Sequence, residues 1–357
     1  MGEEGIVTSQ SRSGGANIRP GRPQTQVELS SQAGVCITIA LRVSTLIICV
    51  SDYSGKNLSR RDLSIDSATL DSKSLIKLLI SSVEAEISEF PREQLRAISL
   101  GFQGVTDSQT GELLWSPVFL ADRVPIAKKM QEKFGVQISV NNDCALIAAA
   151  LHGSEKVKLG DSFAAILFSH GIGMGAYLSG QPFYGAQSSA LELGHLQFKK
   201  DGAVCRCGKH GCIEAYAADY GIFRSATDSS TSATPVDNIS DEELQALIAA
   251  AIRGESAAVN AFKLAGQAIG SGLATFFNLF DPMPIALVGH DAEAIRLMSG
   301  DIQEALSSVS RRPIDYSRLI HSYHSEMPLL LEGLAMSALA IADRELANLA
   351  DQAEPVN

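Results

Sequence analysis

Half of the six cysteines in this 357-residue chain fall within eight residues, CRCGKHGC (205–212). No other feature constrains the fold so tightly, because Cys205, Cys207 and Cys212 require the backbone to curl around one point. Gly208 and Gly211 permit that curl. A fourth donor, His195, stands ten residues upstream in ELGH. Three thiolates and an imidazole make a tetrahedral zinc set, and four protein ligands leave no position for water, so the site is structural. A redox pair is the competing reading of C-x-C, although redox cysteines usually follow C-x-x-C at a helix start.

The opening residues MGEEGIV are acidic and lack an apolar run, which argues against a secretory leader. Together with few cysteines in a long chain, this argues against a disulfide framework and points to the cytoplasm. The most apolar stretch, VCITIALRVSTLIICV (35–50), is too short to span a membrane and carries Arg42 in its middle. It reads as two buried strands. A net charge of −11 excludes a main body that grips nucleic acid, which requires a clustered basic surface.

Strand and helix patterns alternate from residue 34. Apolar spacing predicts a helix over 72–89, and Pro125 and Gly135 bracket another over 124–134. Strands are expected at 97–102, 136–140, 163–169 and 284–289. Helices are expected from Asp143, over 241–253 and 256–280, and around 327–348. Residues 225–238 read as a loop. The glycines of GIGMG (171–175) are spaced G-x-G-x-G and precede a strand, which discounts a dinucleotide fingerprint. Two α/β lobes with a cleft between them follow from these repeated halves.

The run Glu192-Leu193-Gly194-His195 followed by CRCGKHGCIEAYA (205–217) resembles the hallmark of the ROK family, named for repressors, open reading frames and kinases. GFQGVTDSQTGELLWSP (101–117) resembles a family loop, with Gln103 where proline is usual. Asn142-Asp143 resembles a family pair at a helix start, and 256–289 its long helix and strand. The resemblance implies an actin-like, sugar-kinase (ribonuclease H-like) α/β fold with structural zinc. It divides the chain into a polar segment at 1–33, an N-terminal lobe at 34–147 joined by a C-terminal helix at 334–357, and a C-terminal lobe at 148–333.

The resemblance places Asn142, Asp143, Glu192, His195 and Glu214 around a hexose or amino-hexose. A ring of hydroxyls, each donor and acceptor, suits carboxylates, an amide and an imidazole. If one nitrogen of His195 holds zinc, the other is fixed as a donor toward the sugar. Alone, Asp143 reads as readily as a helix cap and Glu214 as surface charge.

A family kinase would use Asp143 as general base, ATP with magnesium, and glycine-rich phosphate loops. Its first loop, Asp-Ile-Gly-Gly-Thr-Lys, aligns with Ala40, Leu41, Arg42, Val43, Ser44 and Thr45. Its Gly-Thr-Gly becomes Ser169-His170-Gly171, and its Gly-Gly-Gly becomes Gly289-His290-Asp291. Side chains at Arg42 and Val43 obstruct the close backbone approach that glycine permits. The expectation is a sugar-binding regulator that does not phosphorylate, the alternative being a hexokinase with divergent loops.

Residues 3–29 resemble the end of a winged helix-turn-helix, with QTQVEL as a strand, so the chain reads as a repressor lacking its DNA reader. Leu191, where family kinases usually have glycine, resembles the repressors responsive to N-acetylglucosamine and glucose. RPGRP (19–23) reads as a polar linker or, alternatively, as a minor-groove hook. The expected assembly is a homodimer or tetramer, with DNA reached only through a missing or upstream helix-turn-helix, and with no membrane.

Overall fold

Two five-stranded sheets of the same topology organise this α/β chain. The computed structural model describes residues 7–10, 26–185, 191–227, 239–289, 292–309 and 318–353. RPGRP, residues 228–238 of the expected loop, and His290-Asp291 lie outside the described residues. The chain divides into two compact units, Met1–Asn142 with Leu331–Asn357, and Asp143–Leu330.

In the first unit, β1 (Val7–Gln10) pairs antiparallel with β2 (Gln26–Leu29). β3 (Val35–Leu41), β4 (Thr45–Asp52) and β5 (Asn57–Ser64) form an antiparallel meander. The capped helix α1 (Ser72–Ile87) leads into β6 (Leu95–Phe102), which lies parallel to β3. Asp71 accepts from the amides of Lys73 and Ser74 at 3.1 and 2.8 Å, a cap of about 1 kcal/mol. The hairpin of β7 (Val105–Asp107) and β8 (Glu112–Trp115) precedes α2 (Ile126–Phe134), which stops at left-handed Gly135. β9 (Gln137–Asn142) then joins β6, completing the order β5-β4-β3-β6-β9. Ile37, Ile39, Leu79, Val83 and Phe102 meet in its core.

The second unit begins with α3 (Asp143–Ser154) and the short α4 (Lys156–Leu159). β10 (Phe163–Phe168), β11 (Ile172–Leu178) and β12 (Gln181–Pro182) repeat the antiparallel meander. Four helices follow: α5 (Glu214–Ala217), α6 (Asp219–Ala226), α7 (Asp241–Ile252) and the long α8 (Ser256–Phe280). β13 (Ile285–Val288), α9 (Ala292–Val309) and β14 (Ile320–Tyr323) complete the order β12-β11-β10-β13-β14. Phe168, Phe262, Ile269, Leu273, Met298 and Ile302 form its core. Helix α10 (Glu326–Ala353) carries the chain from the second unit back to the first. No helix among the described residues is long and apolar enough to cross a membrane.

The two strands expected over 35–50 are present and turn at Arg42–Ser44, and a turn at Ser54-Gly55 joins β4 to β5. Two details depart from the sequence pattern. Asn141 and Asn142 extend β9, because pairing with Gly101 and Phe102 overrides their low strand preference. Ser225 and Ala226 lie in α6, which extends into the expected loop.

Candidate functional site

A compact knuckle follows a 3₁₀ turn at Leu193–His195. Its loop is pinned by Cys205 N–H to the Lys209 carbonyl at 2.9 Å and by Gly211 N–H to that of Ala203 at 2.8 Å. Gly208 and Gly211 adopt φ of +82° and +78°. At Gly211 a β-carbon would lie 1.7 Å from the carbonyl oxygen of Lys199, so glycine is obligatory there.

The knuckle gathers donor atoms of His195, Cys205, Cys207 and Cys212 to within 4.8 Å of one another. Cys205 Sγ lies 3.7 Å from His195 Nδ1, and the sulfurs of Cys207 and Cys212 are 3.8 Å apart. A tetrahedral ion with metal–sulfur bonds of about 2.3 Å places its sulfurs about 3.8 Å apart, so the donor set fits zinc. Burial, followed by the charge of Glu214, raises the Cys205 thiol far above its usual range. Burial and the neighbouring Cys207 push Cys212 up to about 11. Thiolates crowded beside a buried carboxylate are unfavourable without a cation among them.

Glu214 opens α5 and is buried. Its Oε2 accepts from the Ile172 amide at 3.2 Å, while Oε1 lies 3.2 Å from the Tyr220 hydroxyl and 3.4 Å from Cys205 Sγ. His195 turns its other nitrogen, Nε2, toward Glu192 Oε2 at 3.7 Å. The Glu192 carboxyl is raised, chiefly by loss of solvent, against the opposing charge of His195; Glu214 and Asp143 add to the rise. Asp143, at the start of α3, is buried and accepts from the Cys144 amide at 2.9 Å and its thiol at 3.4 Å.

Asp143, Glu192, His195 and Glu214 therefore belong to one electrostatic neighbourhood in the second unit. Asn142 ends β9 in the first unit, where its side-chain amide donates to the Gly104 carbonyl at 2.7 Å.

Glycines of β11 set this neighbourhood. A β-carbon on Gly173 would meet Cys144 Sγ at 2.3 Å, and one on Gly175 would meet the Cys144 carbonyl at the same distance. They admit the first turn of α3 against the strand, and with it Asp143. That packing role explains the last two glycines of GIGMG, while a β-carbon on the first, Gly171, would lie 2.9 Å from Glu214 Oε2.

The family model for ROK proteins matches residues 36–325. The chain belongs to the ROK family. The putative xylose repressor of Caldicellulosiruptor sp. (strain Rt8B.4) is 26% identical over 298 residues, covering 81% of this chain and 73% of that protein. The DNA-binding transcriptional dual regulator NagC of Escherichia coli (strain K12) is 24% identical over 311 residues, covering 84% and 73%. Among solved structures, a ROK family transcriptional regulator, a homolog of the E. coli Mlc protein, aligns with a TM-score of 0.72. It is 21% identical and covers 94% of this chain and 88% of its own. A ROK family glucokinase from Streptomyces griseus, in complex with glucose and AMPPNP, aligns with a TM-score of 0.64. It is 22% identical and covers 85% and 99%. At these identities the two structures establish the ROK fold.

Sequence reasoning did not single out Arg206 or Tyr220. Arg206 Nη1 donates to the His170 carbonyl at 2.6 Å, and its guanidinium lies 4.4 Å from the centre of the Tyr220 ring. Arg206 is conspicuous only in standing between two cysteines that could hold a metal. Tyr220 carries no periodic signal.

Proposed function

We propose that this ROK chain is the effector-binding region of a sugar-responsive transcriptional regulator, binding a hexose or amino-hexose without phosphorylating it. The observation carrying this reading is the state of the β10–β11 turn. Its Ser169 amide donates to the Gly171 carbonyl at 3.1 Å, and its Ile172 amide to Glu214. Amides engaged within the protein do not cradle a nucleotide phosphate. At the β3–β4 turn, Arg42, Val43 and Ser44 offer no glycine, and Arg42 is only 9% exposed.

The acidic neighbourhood suits a sugar. Asp143, Glu192 and Glu214 would accept from hydroxyls, and His195 Nε2, beside Glu192, would donate to one. Asn142, next to Asp143 in the chain, would add an amide. His195, Cys205, Cys207 and Cys212 would hold zinc, which fixes the orientation of the imidazole. Sugar binding would bias a homodimer or tetramer between states of different affinity for DNA or a protein partner.

The second reading, a hexokinase, is favoured by the buried Asp143 at the position of a general base. It would require ATP and magnesium. Calorimetry with a hexose panel, run beside an ADP-release assay with ATP and magnesium, separates the two. Binding without turnover is expected; turnover at about 1–100 per second would establish the kinase instead.

A further inference from the structure

Arg206 is flanked on both sides by donors of the knuckle, Cys205 and Cys207. Its side chain reaches away from them to the carbonyl of His170, in the turn between β10 and β11. Its own amide lies 3.5 Å from the Tyr220 hydroxyl, which also faces Glu214 Oε1. The opposite oxygen of Glu214 holds the Ile172 amide, at the far end of the same turn. Asp219 supplies a further tie, its amide donating to the Ser169 carbonyl at 3.4 Å.

From this arrangement we propose that Arg206 couples metal occupancy of the knuckle to the conformation of the β10–β11 turn. When both flanking sulfurs share one ion, the backbone of residue 206 is fixed on either side. The guanidinium is then held over Tyr220 with its Nη1 aimed at the turn. A charge-assisted bond from a planar, stacked group holds that carbonyl more firmly than a mobile loop residue would. With the ion lost, residues 205–207 keep only their backbone ties to Lys209, Gly208 and Tyr220, and the turn's outer clamp slackens. Because Ile172 and Glu214 share a bond, the slackened turn also releases one edge of the sugar neighbourhood. Arg206 acts here as a positioning residue, touching neither sugar nor metal. The proposal rests on the zinc reading of the cluster.

The test is amide hydrogen exchange on the full-length protein, followed on peptides covering 166–175, with zinc content measured in parallel. Four samples are compared: zinc-loaded and chelator-treated wild type, and Arg206→Gln in both conditions. Zinc-loaded Arg206→Gln should retain wild-type zinc content, yet exchange at the turn about tenfold faster or more. Chelation should raise wild-type exchange to the same level and add little in the variant. Exchange in α8 and β13, which belong to the core of the same unit, reports that this unit remains folded.

Lys209→Gln, an exposed charge change on the same knuckle, should leave the turn protected. Equal loosening by Lys209→Gln would overturn the proposal, as would turn exchange indifferent to Arg206→Gln. So would an increase on chelation as large in the variant as in wild type, or loss of zinc from Arg206→Gln itself. A wild type that binds no zinc would remove the metal reading first, a failure distinct from a zinc-loaded protein whose turn ignores Arg206.

Discussion

The two sheets share a strand order, yet the hairpin turns at matching places in them are held in different ways. In the first unit the turn Arg42–Ser44 is secured by its own surroundings. Arg42 N–H reaches the Thr45 carbonyl and Ile65 N–H that of Ser44, both at 2.9 Å, and the Ser67 hydroxyl bonds the Val43 carbonyl. In the second unit Ser169–Gly171 has its own bond from the Ser169 amide to the Gly171 carbonyl. Arg206 and Asp219 also hold it from outside, and Glu214 holds the adjoining Ile172 amide; these three come from the knuckle and the helices after it. The strands differ too. β4 is filled with Ile47, Ile48, Cys49 and Val50, whereas β11 places Gly173 and Gly175 where α3 lies closest. One hairpin completes a core; its counterpart is wired to the site. Topology alone therefore does not assign a loop its task.

The comparison is broken most severely at β11. Gly175→Ala would drive a methyl into the backbone of Cys144, which a helix cannot yield locally. A loss of about 5 kcal/mol is expected, at the exceptional end of single substitutions. Denaturant unfolding measures it, and a cost below about 1 kcal/mol would show that α3 does not depend on this approach.

A smaller effect, of about 3 kcal/mol, comes from Asp219 behind the second turn. Burial, with Glu326 and Asp241 adding and Arg206 opposing, raises its carboxyl from 3.8 to about 7. His170 Nδ1 faces it at 3.7 Å. Native Asp219 binds its proton more tightly than the unfolded chain does. Its contribution is therefore whole below about pH 4 and is lost as pH rises through about 7. Between pH 5 and pH 8, wild type should lose about 3 kcal/mol more stability than Asp219→Asn. Parallel pH profiles for the two proteins would contradict a buried acid at this position.

Much of this was legible in the sequence, for identifiable reasons. The clustering of His195, Cys205, Cys207 and Cys212 could be read because the three cysteines share a short, glycine-broken loop and His195 stands close by in the chain. Helix α8 shows its length through an uninterrupted apolar pattern ended by Asp281-Pro282. β5 escaped notice because NLSRRDLS is polar and mostly exposed along an edge, so it carries none of the alternation of a half-buried strand. The ties of Arg206 and Tyr220 to residues 170 and 214 were illegible because they depend on how the knuckle lies against β11. The glycines of β11 were visible, but their partner Cys144, about thirty residues away, was not.

The knuckle offers the next way to sharpen the contrast. Cys207→Ser removes one donor and should lose zinc, together with about 100-fold in hexose affinity, near 3 kcal/mol. Metal analysis and calorimetry on one preparation measure both. If sugar affinity survives loss of the metal, the cluster only braces the loop, and His195 and Glu214 are oriented without it.

The mildest substitution concerns the first turn. Replacing Arg42 and Val43 with glycine restores the residue type that family kinases carry there. Extra chain entropy in the unfolded state should cost about 1–2 kcal/mol in total. No ADP release is expected with any hexose, because the second turn still directs its Ile172 amide at Glu214 and its His170 carbonyl at Arg206. A phosphate cradle needs both turns open, so restoring one leaves the nucleotide without half of its donors. Turnover in this double variant would show that the obstruction lay in the first turn alone, and that the second turn is held for sugar rather than closed against nucleotide.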